Sequence, residues 1–295
     1  MSNTRKIMLS IAGFYVLGIV LLIVIFGFGH KNNTFQIQNE FKLDNWVNLG
    51  VFSINRAVVY LFIATILTIG TMVWIARRMH QRPNRVQTGV EVLFGLMRDN
   101  ITRGNMDDSM AARWFPFIGA LFLFIWFCNL IGYIPLPTNS EETFTLFGVH
   151  IPDFALYAAT ANISVPLVLA LVVFIAFNWV GLRVHGPIGY VKSLIPAGVH
   201  GPMLILIAPL EIISTFMRLI SLTIRLFANI LAGHLIILFM AGGLAVILGL
   251  SFLGWFTMPI GIAVYLFELG LVATLQAFIF ATLGAIYISG AATHH

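Results

Sequence analysis

Long apolar runs separated by short polar ones dominate this chain. Ile7–Phe28, Val51–Ile75, Trp114–Ile134 and Thr160–Val180 are each about twenty residues long, the length a helix needs to cross a hydrocarbon core of about 30 Å. Two further runs, Pro209–Met240 and Pro259–Ser289, are longer. A helix of about thirty residues measures about 45 Å and fits the same core only by tilting. The pattern predicts an all-α polytopic membrane protein of about six membrane helices, the last two long and strongly tilted. Between the second and third runs, residues 86–105 show a different period. Val90, Leu93, Phe94, Met97 and Ile101 recur at helical spacing, with Gln87, Glu91, Arg98 and Asp99 on the other sides. That predicts an amphipathic helix, lying on the membrane interface or packed on a neighbouring subunit.

The charges between the spans set the threading. Arg5 and Lys6 precede the first run, and Arg77, Arg78, Arg82 and Arg85 follow the second. By the positive-inside rule both ends are cytoplasmic, which places residues 30–50 outside. Ile7–Phe28 reads as a retained signal anchor, because Gly27–Phe28–Gly29–His30 is a poor cleavage site. Residues 1–50 therefore form an anchor helix with an outside polar segment, and residues 51–295 the main membrane domain. Trp114 and Tyr133 bracket the third span as interface anchors. The segment 135–158, with Glu141, Glu142, His150 and Asp153, falls outside, and the loop with Arg183, His185 and Lys192 falls inside. The tail from Ala291 to His295 is then cytoplasmic.

Composition narrows the function classes. The chain is 59% hydrophobic and 9% charged, where soluble domains carry about 25% charged residues. Its net charge of +5 comes from arginines and lysines at helix ends rather than from a basic face, so nucleic acid is not an expected partner. The single cysteine, Cys128, sits in an apolar run and excludes an internal disulfide. Phosphate-loop, zinc-helix and dinucleotide fingerprints do not occur, so neither enzyme chemistry nor a cofactor or metal is expected. No fixed-period repeat or pair of broken helices occurs, which weighs against a secondary transporter.

The chemistry lies in Pro209–Met240. Glu211, Ser214, Arg218, Ser221, Arg225 and Asn229 follow one another in steps of three or four, so they form one polar stripe on an apolar helix. Each arginine at mid-membrane costs about 2.5–3.5 kcal/mol. Such a charge needs a partner or a task. A transporter or channel with a buried charged helix is the alternative class, although voltage sensors use several arginines three apart and these two are seven apart. Glu211 and Arg218 are readable as a gate or as a pair snorkelling to headgroups. His234, nine residues beyond Arg225, falls about half a turn away on a straight helix. Glu268 is the only acid of the last run, which also carries Gln276. A buried Glu–His pair holds or passes a proton near neutral pH. Asn162, Asp153 and His150 stand where an outer entrance would lie, or are ordinary loop polarity.

The run Pro209–Leu210–Glu211 with Ser221–Leu222–Thr223–Ile224–Arg225–Leu226–Phe227–Ala228–Asn229–Ile230–Leu231–Ala232–Gly233–His234 resembles the signature of subunit a of F-type ATP synthase. Trp114–Phe115–Pro116, Asn129–Leu130–Ile131–Gly132–Tyr133–Ile134–Pro135, Ala159–Thr160–Ala161–Asn162 and Leu275–Gln276–Ala277–Phe278–Ile279–Phe280 match that family in order, over roughly residues 50–290. The resemblance implies a non-catalytic stator subunit that translocates protons in an energy-transducing membrane, such as a bacterial plasma membrane. It implies a rotating ring of c subunits with buried carboxyls as partner, peripheral-stalk b subunits, and two aqueous half-channels. Arg225 matches the family's essential arginine between them. His234 and Glu268 match its acid–histidine pair in swapped order, assigned to the outer half-channel. Gln276 matches its glutamine near the arginine, and Asn229 and Ser221 would line the path. One departure stands out: Glu268 lies eight residues before Gln276 where the family pattern has seven. Either a local bulge restores its direction, or the carboxyl approaches from a neighbouring angle.

Overall fold

The computed structural model describes residues 45–49, 52–78, 84–134, 143–146, 149–152, 158–193, 203–240 and 253–293. Its helices are α1 (Arg56–Arg78), α2 (Arg85–Gly95, continued by a π-helical stretch Leu96–Arg103), α3 (Asp108–Gly132), α4 (Ser164–Ser193), α5 (Met203–Leu238), α6 (Leu253–Phe267) and α7 (Ala273–Ala292). A π-turn, Glu268–Val272, joins α6 to α7. Five helical spans are long and apolar enough to cross a membrane: Ala57–Arg77, Asp108–Gly132, Ser164–Tyr190, Leu206–Leu238 and Thr257–Ala292. The all-α polytopic class follows. The run Ile7–Phe28 and the Ala241–Gly243 turn lie outside the described residues.

Two antiparallel hairpins interrupt the helices: β1 (Asn45–Leu49) with β2 (Phe52–Asn55), and β3 (Thr143–Leu146) with β4 (Val149–Pro152). They are too short to compete with the helical body.

Two compact units make up the chain, one including Ala232–Glu268 and the other Leu43–Leu231 with Leu269–His295. In the larger unit α7 packs against both α3 and α4, and α1 against α3. The sequence allows this closeness. Ala273, Ala277, Ala281 and Ala285 are fully buried along one face of α7, and a Cβ placed on Gly284 would meet Val173 of α4 and Leu121 of α3 at ordinary van der Waals distance. Small residues at such a seam let backbones approach, and close packing replaces the hydrophobic effect that lipid does not supply. Ile118, Phe122 and Ile125 of α3, Val173 and Phe177 of α4, and Leu222, Leu226 and Ile230 of α5 complete this core.

Three sequence expectations change. The amphipathic segment does not merely lie on an interface: Met97 and Ile101 are fully buried in the same core, and Phe94 meets Phe115 of α3 edge-on at 5.2 Å. Its second half is π-helical, and the Thr102 hydroxyl donates to the Met97 carbonyl five residues back at 2.7 Å. Tyr133 is fully buried rather than an interface anchor. The fourth span runs well past Val180. Its helix reaches His185, reverses direction at Gly186 with φ 71°, and continues from Pro187 to Ser193. Glycine tolerates that left-handed backbone and proline suits the following helix start. The returning segment lays Tyr190 against Gly181, where an added Cβ would meet the ring at 2.2 Å, and the Tyr190 hydroxyl donates to Asn178 at 2.7 Å.

At the end of α3, a Cβ on Gly132 would come within 2.4 Å of the Ala158 Cβ and 2.6 Å of its Cα. Neither atom can swing aside. Gly132→Ala should therefore destabilise the fold by about 1–3 kcal/mol, read as a lower midpoint of denaturant unfolding in detergent.

Candidate functional site

The site is built on α5, a 36-residue helix, Met203–Leu238, with Pro209 in its first turns and no later interruption. Successive residues on it rotate by about 100°. Measured from Arg225, its faces sort cleanly. Leu222, Leu226 and Ile230 are buried in the core, centred about 100° to one side. Met217, Ile220 and Ile224 are exposed, about 100° to the other side. The polar stripe is the seam between these faces. Ser214, Ser221 and Arg225 on it are exposed, and Glu211, Arg218 and Asn229 are partly buried.

The two arginines of the stripe are held differently. Arg218 ion-pairs with Glu211 at 4.0 Å and lies over the Tyr287 ring of α7, 5.4 Å from its centroid. The charge is thus shared between a carboxylate seven residues back and an aromatic face on another helix. Glu211 and Arg218 are therefore a pair. Tyr287 is a contact that α5 alone could not reveal, because it comes from a helix about seventy residues later in the chain. Arg225 forms no ion pair among the described residues. One turn further on, the Asn229 amide nitrogen is buried with no hydrogen-bond partner among the described residues.

His234 and Glu268 are both buried, 4% and 8% exposed, and belong to the same compact unit. Gln276 is also 8% exposed, on α7. A histidine, a carboxyl and an amide kept at low exposure in apolar helices are costly to bury. The π-turn begins at Glu268. A π-turn takes up one more residue than an α-turn, so the helix is locally bulged at Glu268–Val272. Asn162 lies just before α4, where its side-chain oxygen accepts from the Ser164 amide at 3.0 Å; it caps the helix start. Asp153 lies outside the described residues, and His150 sits in strand β4. No group of three or more metal-ligating side chains occurs among the described residues.

Five long apolar helices, one of them carrying a polar seam with two arginines, define a multi-pass membrane protein with ionisable groups inside its spans. The family model for the ATP synthase A chain matches residues 58–289. ATP synthase subunit a of Parvibaculum lavamentivorans is 35% identical over 233 residues, 78% of this chain and 81% of that protein. The subunit a of Rubrobacter xylanophilus is 35% identical, over 80% of this chain and 83% of its own length. That of Pelagibacter ubique is 29% identical, over 89% and 97%. The chain belongs to the ATP synthase subunit a family, and so is a non-catalytic, multi-pass membrane subunit of that proton-transporting complex.

Because the Glu211–Arg218 pair is long and about a third or more exposed on each side, its loss should matter little to folding. Glu211→Gln should change stability by less than about 1 kcal/mol, measured by denaturant unfolding in detergent.

Proposed function

We propose that this chain forms two aqueous half-channels against a rotating ring of carboxyl-bearing c subunits, with Arg225 separating them. The observation that carries this reading is the position of Arg225: exposed at the border of an apolar outer face and without an ion pair among the described residues. A guanidinium keeps its proton at any accessible pH, so it cannot relay one. It attracts a ring carboxylate that arrives deprotonated and has no such pull on a protonated one. The same fixed charge repels a hydronium that would otherwise pass straight between the channels.

His234 and Glu268 serve the outer half-channel as a proton-holding pair. Gln276 orients the guanidinium without neutralising it, and Asn229 and Ser221 line the path beside it. Glu211 and Arg218 border the inner half-channel. Asn162 and Asp153 line the outer entrance. The exposed apolar side of α5, with Met217, Ile220 and Ile224, faces the ring. The b subunits of the peripheral stalk hold the chain against rotation. Both termini are cytoplasmic, in a bacterial plasma membrane, with residues 1–50 as anchor and 51–295 as the working body.

Arg225→Ala should abolish ATP-driven proton pumping in inverted membrane vesicles while the complex still assembles; pumping at the normal rate would remove the assignment. Arg225→Lys should also fail, because a lysine at that depth can shed its proton. Glu268→Gln and His234→Ala should each slow pumping by about a hundredfold or more, the usual contribution of a positioned proton-transfer group, with the complex again recovered intact.

A further inference from the structure

Arg218 and Arg225 lie seven residues apart on α5, which sets them about 10 Å apart along the axis and about 20° apart around it. Both guanidiniums keep their charge at any accessible pH, so a carboxylate passing along this seam is drawn to whichever is free. We infer that Glu211 and Tyr287 are positioning residues: they hold Arg218 within the chain, so that a passing ring carboxylate meets one free guanidinium, Arg225, and not two. The inference rests on the role proposed for Arg225 and adds how its neighbour is kept from competing.

The hold has two parts. The Glu211–Arg218 ion pair is 4.0 Å long, with the two side chains 31% and 40% exposed, and a pair so placed is weak by itself. The Tyr287 ring supplies the second part. Its centroid lies 5.4 Å from the guanidinium carbon, within the range at which a ring face attracts a cation. Tyr287 is fixed in turn by Phe177 of α4, which is buried and meets its ring at 6.0 Å. Phe174 packs edge-on against Phe177 at 5.2 Å and reaches Phe216 of α5 at 5.5 Å. The rings thus run from α5 through α4 to α7, and the cation–π contact closes the circuit onto α5 two residues past Phe216. The returning end of α4 faces the same guanidinium: Tyr190 lies within its electrostatic reach, and the Tyr190 hydroxyl donates to Asn178. Arg225 has neither an ion pair nor a ring contact among the described residues. A positive charge beside a carboxyl favours its ionised form. A released Arg218 would therefore keep a nearby ring carboxyl ionised, and loading a proton onto it would require a lower pH.

The test uses the whole complex in inverted vesicles, with ATP-driven pumping followed across pH and assembly judged from the chain content of the purified complex. Tyr287→Leu and Glu211→Gln should each assemble, pump about two- to fivefold more slowly at neutral pH, the change one such contact supplies, and shift the pH profile toward acid. Tyr287→Phe, which keeps the ring face, should show the normal rate and profile. Either loss variant combined with Arg218→Gln should behave as Arg218→Gln alone, because the charge being held is gone. A normal rate and profile in Tyr287→Leu overturns the inference. So does a loss that persists unchanged beside Arg218→Gln, which assigns the tyrosine to packing, and so does failure of Tyr287→Leu to assemble. If Arg225→Ala pumps normally, the role of Arg225 falls and this inference with it. If Arg225→Ala stops pumping while Tyr287→Leu is normal, this inference falls alone.

Discussion

A guanidinium at bilayer depth cannot escape its cost by changing its protonation, as a buried lysine does by losing a proton and a buried carboxylate by gaining one. Two such groups on one helix constrain everything around them. Helix α5 keeps both on a seam, with the packed core on one side and an exposed apolar face on the other. Arg218 is settled within the chain, between the Glu211 carboxylate and the Tyr287 ring. Arg225, seven residues later on the same seam, has no acid of this kind among the described residues. The contrast matters because both sites share a helix, a stripe and a residue type. Only one of them leaves a charge with no acid beside it among the described residues.

Holding that seam in place requires a rigid backing, and lipid offers no hydrophobic force between helices. Rigidity comes instead from close backbone approach. The buried alanines of α7 let α3 and α4 close on it, and Gly132 lets the end of α3 reach Ala158. Gly186 turns the end of α4 back so that Tyr190 fills the space over Gly181 and bonds Asn178. Each device exchanges side-chain bulk for contact, which dispersion rewards only when the fit is tight.

What the sequence made legible and what it hid divide along physical lines. Span lengths and the polar stripe were readable because both rest on the regular 3.6-residue period and on the thickness of a bilayer. The reversal at Gly186 was not: a glycine–proline step signals a break but does not say whether the chain leaves or folds back. Tyr133 looked like an interface anchor because a tyrosine at a span end usually is one; its burial depends on neighbours far away in sequence. The partner Tyr287 was hidden for the same reason. Asp153 and the first apolar run lie beyond the described residues. The π-helical stretches at Leu96–Arg103 and Glu268–Val272 break the very period used for reading. Only the eight-residue interval before Gln276 hinted at the second of them.

The alanine face of α7 must meet α3 and α4, which fixes the rotation of every residue from Ala273 onward, Gln276 among them. Two side chains of α3 add polar links at the start of the same seam: the Trp126 indole N–H donates to the Thr274 hydroxyl at 3.1 Å, and the Asn129 amide donates to the Ala273 carbonyl at 3.3 Å. Where lipid supplies neither water nor a hydrophobic force between helices, such links and close contact together hold the backing of the charged helix.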